Sequence, residues 1–255
     1  MGDSYTFPIV VVAVEGSSDN KYLTVPLRAF FKERYGSDCK MVQVRDVTSD
    51  KDILNDDFLK ELSNRIEDEL KSPRYKIDYD VAFMIKEIVH IFDIDEAFIG
   101  NSHIYEDDSH EEFFYTREGI YYKSKQAVID RNTLKVNRTR KLIANTELEL
   151  FNLKIPYRAY YFSVNIDDFH FDNSLNLDDE TKNKQAAELQ REYLKKSDQG
   201  KIKKFKKIFE DRNPADYPSS YIESWDYVQK DNNSLNRCSN VYLVTEGNKK
   251  VIDEV

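Results

Sequence analysis

The residues PIVVVAVEG at positions 8–16 place the strongest constraint on the fold, because a short run of β-branched residues ends on a carboxylate and a glycine. Such a run is typical of a strand that is buried on both faces. Residues 18–36 follow with apolar side chains at helical spacing and a glycine at the end, which predicts a helix. Pro26 is awkward inside that helix and predicts a kink or a late start.

The same order of strand and helix repeats along the next part of the chain. Apolar and polar residues alternate over residues 40–49, which predicts a second strand, and residues 57–72 have the pattern of an amphipathic helix. Residues 86–98 predict a third strand that ends on acidic residues. Strands that alternate with helices form parallel sheets with crossover helices. The sequence therefore predicts an α/β fold with a small, mainly parallel sheet flanked by helices.

We predict a catalytic domain over residues 1–172 and a mainly helical C-terminal extension over residues 173–255, where the composition becomes polar and then basic. Within the first domain, residues 101–128 are acidic and then aromatic without a clear period, which indicates a surface insertion. A helix over residues 137–153 and a fourth strand over residues 156–169 are expected to complete the first domain.

The composition restricts the class of protein. The chain has 255 residues, of which 40% are hydrophobic, and this is enough for a sizeable core. The formal net charge of −9 counts against binding of nucleic acid through a broad basic surface. Cys39 and Cys238 have no metal-ligand spacing, and we expect them to be reduced thiols. The N-terminal sequence predicts neither a signal peptide nor a membrane span, so we expect a cytoplasmic protein.

Carboxylates stand at the ends of two of the predicted strands. Glu15 closes the first strand, and Asp93 and Asp95 close the third. Chemistry in a parallel sheet gathers at the carboxyl edge, and two residues of an extended D-x-D pair share a face. Like charges at ~4 Å repel by several kcal/mol in a partly desolvated site, and Mg²⁺ or Mn²⁺ would remove that cost. Asp19 lies four residues after Glu15, one helical turn away, and is expected to join the same cluster.

The segments VAVEGSSD and IFDIDEAF, in this order, resemble the motifs of the TOPRIM fold. Topoisomerases, bacterial primases and the nucleases of the OLD and RloB-like groups share that fold. The resemblance covers roughly residues 8–170. It implies that Glu15 is a general base or metal ligand, that Asp93 and Asp95 are metal ligands, and that Asp19 holds a second metal ion.

The resemblance also implies a function, namely a metal-dependent nuclease with Mg²⁺ or Mn²⁺ as cofactor. It leaves DNA and RNA open as the nucleic acid substrate, tRNA included. Stand-alone TOPRIM proteins of this size often act as toxic effectors in bacterial anti-phage defence by abortive infection. In systems such as PARIS, a separate ATPase partner restrains or delivers the effector. We therefore expect an ATPase partner, and the aromatic composition also makes a homodimer an expectation.

Further residues are candidates for the same site. Glu96 is an acidic neighbour of the D-x-D pair that has no assured counterpart in the family pattern. The basic residue that such nucleases often place near the scissile phosphate is expected at Arg140 or Lys141. If the predicted fourth strand continues through residues 163–173, one of its faces carries a second group of potential ligands, namely Asp168, His170 and Asp172, whereas Asp167 points away. Such residues also open turns, and this alternative stays open.

A basic run in the C-terminal extension is a candidate nucleic-acid interface. Its lysines are Lys195, Lys196, Lys201, Lys203, Lys204, Lys206 and Lys207, with Tyr193, Phe205 and Phe209 interleaved. Of these, Lys201, Lys203, Lys204 and Lys207 are the predicted contacts to a phosphate backbone. The alternative is a solvated helix face whose lysines offset the acidic body of the protein.

Other functions remain open from the sequence. The acidic residues could be solvated strand ends or helix caps in a non-catalytic binding module. A phosphohydrolase with Asp93 as nucleophile is another alternative, since a D-x-D after an apolar strand resembles the haloacid dehalogenase motif. In that family the strand is the first one, and a Thr or Val stands where this chain has Ala97. No Walker A motif and no G-x-S-x-G motif occur, which excludes a P-loop ATPase and a serine hydrolase of the α/β type.

Overall fold

A computed structural model describes residues 8–36, 38–171 and 177–246 of the chain. The chain divides into two compact units, each built from separate segments. The first unit comprises Met1–Ile91, Lys141–Ala159 and Asn183–Lys204, and the second comprises Phe92–Arg140, Tyr160–Lys182 and Phe205–Val255. The boundary that we predicted at residue 172 lies outside the described residues.

The chain is α/β, as predicted, with elements numbered here in chain order. The strands are β1 (Ile9–Val14), β2 (Asp38–Gln43), β3 (Ile85–Asp93), β4 (Ile104–Glu106), β5 (Phe114–Tyr115), β6 (Ile120–Tyr122), β7 (Glu147–Leu150) and β8 (Leu153–Phe162). The α-helices are α1 (Ser17–Tyr35), α2 (Phe58–Lys71), α3 (Tyr79–Ala82), α4 (Lys125–Ala144), α5 (Ile166–Phe171), α6 (Asp179–Leu194), α7 (Asp198–Arg212) and α8 (Tyr221–Gln229).

The first unit contains a five-stranded, mostly parallel sheet in the order β2-β1-β3-β8-β7. Strand β1 pairs in parallel with β2 and β3, and its last residue, Val14, lies opposite Gln43 and Ile91. Strands β7 and β8 form an antiparallel pair at one edge. All six residues of β1 are buried, because both faces of a central parallel strand are covered. The predicted parallel sheet and the existence of its first three strands are confirmed, but β2 ends at Gln43 rather than at residue 49 and β3 ends at Asp93 rather than at residue 98.

The first two helices follow their predicted positions. Gly36 ends α1 in the left-handed conformation at φ 60°, and its N–H donates to the carbonyls of Phe31 and Lys32. Pro26 lies inside α1 and is buried, so the helix neither starts late nor stops there. Helix α2 buries an apolar stripe that includes Phe58, Leu62 and Ile66, as its amphipathic pattern predicts.

Three segments differ from their predicted structure. The insertion predicted over residues 101–128 contains a second sheet in the order β4-β6-β5, with Ile99, Ile104, Ile120 and Val128 as a small core. Helix α4 starts at Lys125 rather than at residue 137, and ELEL at 147–150 forms strand β7. The fourth strand ends at Phe162 and does not continue to residue 169, where the chain is helical. Strands β4, β5, β6 and β7 have only two to four residues, which is too short for a periodic pattern to identify a strand.

The second unit has an aromatic core. Trp225 of α8 packs against Phe92 and Tyr161 with ring centroids 6.1 Å and 4.5 Å away. Phe209 of α7 contacts Phe169, and an isolated bridge joins Phe162 to Ser239. The C-terminal segment after residue 172 is mainly helical where it is described, as predicted. None of the described helices combines the length and the apolar character needed to cross a membrane.

Candidate functional site

The two aspartates of the D-x-D pair lie in different backbone conformations. Asp93 is the last residue of β3, whereas Asp95 and Glu96 have positive φ values of 51° and 55°. Hydrogen bonds of 2.8–3.2 Å hold this turn to the last residue of β8 and the two residues after it, with the N–H groups of Ile94, Asp95 and Glu96 as donors. We expected an extended pair with both side chains on one face, and this was wrong, because the chain turns into the left-handed region after Ile94.

The carboxylate of Asp95 contacts two cationic side chains of α4. Lys135 Nζ donates to Asp95 Oδ2, and Arg131 Nη1 lies 3.8 Å from the same oxygen. The other terminal nitrogen of Arg131, Nη2, donates a hydrogen bond of 2.9 Å to the backbone carbonyl oxygen of Asp95. The Lys135 side chain is fully buried, Arg131 is 5% exposed and Asp95 is 21% exposed. The turn after β3 therefore presents a carboxylate that is already compensated by protein cations and still reaches solvent.

Arg131 is held in place from several sides. Its Nη1 donates to the Tyr115 hydroxyl at 2.7 Å, and its Nε donates to Asn132 Oδ1 at 3.0 Å. The guanidinium carbon lies 4.7 Å from the ring centre of Phe113, within the range of a cation–π contact. Burial raises the pKa of Tyr115, so its hydroxyl is neutral at physiological pH and accepts the hydrogen bond from Arg131.

A basic stripe on the buried side of α4 was not predicted from the sequence. Arg131, Lys135 and Arg138 have spacings of four and three residues, so they share one helix face, and all three are buried. The available signal was this spacing within RNTLKVNR. We predicted Arg140 or Lys141 instead, which belong to the same helix.

Glu96 belongs to a buried ion network rather than to a solvent-facing acidic group. Its side chain is fully buried, and Oε1 accepts a hydrogen bond of 2.8 Å from Arg237 Nη1. Arg237 Nε also contacts the carboxylate of Asp168. Burial raises the pKa of Glu96 to about 8, although Arg237 acts in the opposite direction. Glu96 therefore connects the turn after β3 to the C-terminal segment and does not present a free carboxylate.

The acidic group that we predicted near residue 168 lies on a helix. Asp167, Asp168 and His170 belong to α5 and are buried. The Asp168 N–H donates to Asn165 Oδ1 at 2.8 Å, as at a helix start. The proposed common face of Asp168 and His170 on a continuing strand was wrong, since residues two apart lie about 200° apart around an α-helix. Asp172 lies outside the described residues.

Glu15 and Asp19 lie in the first unit, whereas Asp93 and Asp95 lie in the second. Glu15 follows β1 directly and is half-buried. Asp19 is 8% exposed, and its Oδ2 accepts a hydrogen bond of 2.8 Å from the Gly16 N–H. This contact is that of a side chain that closes the first turn of α1. The predicted metal-binding roles of these four residues stay predictions.

Lys141 is exposed in the last turn of α4. Its Nζ donates to the Asn55 carbonyl at 2.7 Å and lies 3.6 Å from Asp56 Oδ1, with all three residues in the first unit. Arg140 Nε lies 3.4 Å from Gln229 Oε1. Neither cation is held as a phosphate ligand would be, since the three partners, Asn55, Asp56 and Gln229, are groups of the protein itself.

The basic run divides between a core face and an ion-paired face. Tyr193, Phe205 and Phe209 are buried, so these rings are core residues and are not available to stack on bases. Four lysines form ion pairs with nearby acids, namely Lys201 with Asp198, Lys204 with Glu192, Lys206 with Glu246 and Lys207 with Asp211. Lys203 is exposed. These contacts favour the solvated helix face over a dedicated phosphate interface.

The described residues do not form a metal centre. No group of three or more His, Cys, Asp or Glu side chains within residues 8–36, 38–171 and 177–246 is arranged to hold a metal ion. Asp95 is in contact with Lys135 and Arg131, and Glu96 is paired with Arg237. As the side chains lie, Asp95 and Glu96 are thus occupied by cations of the protein itself, and we derive no catalytic step through a metal ion.

Comparison with protein-family models, curated proteins and solved structures gave no match to this chain. The class that the fold defines is thus an α/β protein with a mostly parallel sheet. Any narrower assignment depends on the chemistry of the residues described above.

Proposed function

We propose that this protein hydrolyses phosphodiester bonds in nucleic acid, as a nuclease of the TOPRIM type. The sequence motifs around Glu15 and Asp93 support the proposal, together with the order of the first three strands. Glu15 follows β1, and Asp93 ends the neighbouring parallel strand β3. Strand ends at the carboxyl edge are the usual place for chemistry in such sheets.

The observation that carries the proposal is the contact of Asp95 with Lys135, supported by Arg131. Hydrolysis of a phosphodiester requires a carboxylate that orients or deprotonates water and positive charge that stabilises the transition state. Asp95 reaches solvent with 21% of its side chain exposed, and the buried Lys135 and Arg131 side chains contact the same carboxylate. We assign Asp95 the role of orienting or deprotonating the attacking water. Lys135 and Arg131 would supply the positive charge that stabilises the transition state.

The cofactor remains part of the proposal. The TOPRIM resemblance favours Mg²⁺ or Mn²⁺, whereas Asp95 is already compensated by Lys135. Hydrolysis without a metal ion is therefore the competing form of the same proposal. Activity in the presence of a chelator separates the two forms.

A second function is favoured by one specific observation. The described residues contain no group that could hold a metal ion, and Asp95, Glu96 and Asp168 all contact cations of the protein. Carboxylates that are compensated internally suit a non-catalytic binding module, in which they fix the fold. Such a module would retain its partner after loss of Glu15 or Asp95.

The test is a cleavage assay with the full chain on supercoiled plasmid DNA and on total tRNA, with Mg²⁺, with Mn²⁺ and with chelator. Asp95→Asn and Glu15→Gln are the test variants, and Glu149→Gln, which alters an exposed residue of β7, is the matched control. We expect cleavage by the wild type and the control and at least a hundred-fold loss in both test variants. Cleavage of neither nucleic acid by the folded wild type would contradict the proposal and favour the binding module.

The same variants separate nucleic acid cleavage from hydrolysis of small phosphoesters. A chromogenic phosphomonoester assay with Asp93→Asn tests the alternative in which Asp93 is a nucleophile.

We further propose an ATPase partner, a homodimer and a toxic role in anti-phage defence, all from the resemblance. Growth arrest on expression, relieved by Asp95→Asn, would support the toxic role. Co-purification with a protein that hydrolyses ATP would support the partner, and light scattering measures the oligomeric state.

A further inference from the structure

The outer face of the three-stranded sheet carries a row of aromatic side chains. The strand register places Tyr105 and Phe114 opposite Tyr121 on either side, so the three rings share one face of the sheet. The Tyr105 and Tyr121 rings are stacked, with centroids 4.6 Å apart and planes at 23°. His110 stacks on Phe114 at 4.4 Å and 9°. We refer to Tyr105, His110, Phe114 and Tyr121 as the aromatic face.

The opposite face of this sheet is already covered. Ile104 and Ile120 are buried with Ile99 and Val128, and Tyr115 packs against the same core. The core explains why that side of the sheet is apolar, but it does not explain the aromatic face. The four rings of the aromatic face are half-buried, so each keeps part of its surface in solvent. A contiguous row of partly exposed rings is a candidate interaction surface.

The charge around the aromatic face is strongly negative. Residues 101–123 contain six carboxylates, namely Glu106, Asp107, Asp108, Glu111, Glu112 and Glu118, against one arginine and one lysine. Lys123 is paired with Glu111 at 2.7 Å, so part of its charge is compensated. Asp107 Oδ2 lies 3.8 Å from His110, and Tyr121 donates to Glu118 Oε2 at 3.5 Å. Carboxylates therefore lie directly beside the rings.

We propose that the aromatic face binds an arginine- or lysine-rich segment of a partner protein. Aromatic rings attract guanidinium and ammonium groups through their π faces, and the neighbouring carboxylates add charge complementarity. A nucleic acid strand would also stack on such rings, but its phosphates would be repelled by the surrounding carboxylates. The proposal uses residues outside the nuclease site, and it does not depend on hydrolysis by the protein.

The test measures binding of a labelled twelve-residue peptide of alternating arginine and serine to the full chain by fluorescence anisotropy. The same peptide with citrulline in place of arginine keeps the shape and removes the charge. An oligouridylate of similar length tests the alternative of single-stranded RNA. The first variant, Tyr105→Leu/Phe114→Leu, removes two π faces but keeps apolar volume. The second, Asp108→Asn/Glu112→Gln, removes two exposed charges from the segment that carries the rings.

The matched control is Glu147→Gln/Glu149→Gln, which removes the same charge from exposed positions of β7. Two exposed cation–π contacts correspond to a change in Kd of about five-fold or more. We therefore expect a five-fold weaker Kd in each test variant, an unchanged Kd in the control and much weaker binding of the citrulline peptide. Equal weakening in the control would mean non-specific attraction and would overturn the proposal. Tighter binding of the oligouridylate, or an aromatic variant that binds the peptide like the wild type, would overturn it as well.

Discussion

Arg237 Nη1 donates a hydrogen bond of 2.8 Å to Glu96 Oε1, although the two residues are 141 positions apart and both side chains are buried. The same guanidinium contacts Asp168 of α5. One arginine of the C-terminal segment therefore connects the turn after β3 to the helix after β8. Within the second unit, this ion network fixes the backbone that carries Asp95.

Replacement of Arg237 is expected to destabilise the protein strongly. Arg237→Met leaves the Asp168 carboxylate buried without its cation and the Glu96 carboxyl without its hydrogen-bond donor, and removal of one partner of a buried ion pair typically costs about 3–5 kcal/mol. The free energy of unfolding, measured by urea denaturation, should fall by that amount. Glu96→Gln is the matched variant, since an amide oxygen can accept the same hydrogen bond, and we expect a loss of about 1 kcal/mol or less at neutral pH. Equal stability of Arg237→Met and wild type would mean that the network does not hold the turn.

Glu96 is also expected to make stability depend on pH. Burial raises its pKa from the ordinary value of 4.5 to about 8, so the folded state binds the proton more tightly than the unfolded state does. The contribution of this proton is complete below pH 4.5 and is lost as the pH rises to about 8. The wild type should therefore lose stability relative to Glu96→Gln across this range, by at most about 1.4 kcal/mol per pH unit. Unfolding curves of both proteins at several pH values test this, and parallel pH profiles would contradict it.

Lys135 and Asp95 are expected to be energetically coupled. Lys135→Met removes a fully buried cation and leaves Asp95 with Arg131, at 3.8 Å, as its remaining ion-pair partner among the described residues. A double-mutant cycle with Asp95→Asn should give a coupling energy of about 2 kcal/mol or more in the free energy of unfolding. Lys141→Met, on the exposed end of the same helix, is the control, with an expected change within about 0.5 kcal/mol. A coupling energy near zero would show that Lys135 does not hold Asp95 in place.

The sequence predicted the parallel part of the fold because that part depends on long, regular patterns. The apolar run of β1 and the periodic stripe of α2 extend over enough residues to identify a strand and a helix. His90 of β3 lies within this regular part of the fold. Its Nδ1 is 2.8 Å from the Tyr157 hydroxyl, and burial lowers its pKa to about 3.

The contacts of the candidate site were much less predictable. Asp95 was found by its motif, but its cations were missed, because Arg131 and Lys135 come from a helix about 40 residues later whose basic face is buried. Arg237 was missed because it lies 141 residues after Glu96 and its side chain is also buried. Ion pairs between distant segments leave no periodic signal in the sequence, and burial of charge reverses the usual expectation that cations face solvent.

The turn before β6 depends on a single glycine. Gly119 has a φ of 145°, and a Cβ atom at this position would lie 1.9 Å from the carbonyl oxygen of His103. Gly119→Ala is therefore expected to prevent the close approach of residue 119 to the His103 carbonyl. We expect this to destabilise the three-stranded sheet by about 2 kcal/mol or more. Gly100→Ala is the control in the same unit, because its φ is −70° and its Cβ would meet Asn232 Oδ1 at an ordinary 3.4 Å. Amide hydrogen exchange over residues 104–122 should rise in Gly119→Ala and stay close to the wild-type value in Gly100→Ala. Protection that is unchanged in Gly119→Ala would show that the sheet tolerates the added methyl group, and the close approach would then not be what fixes this turn.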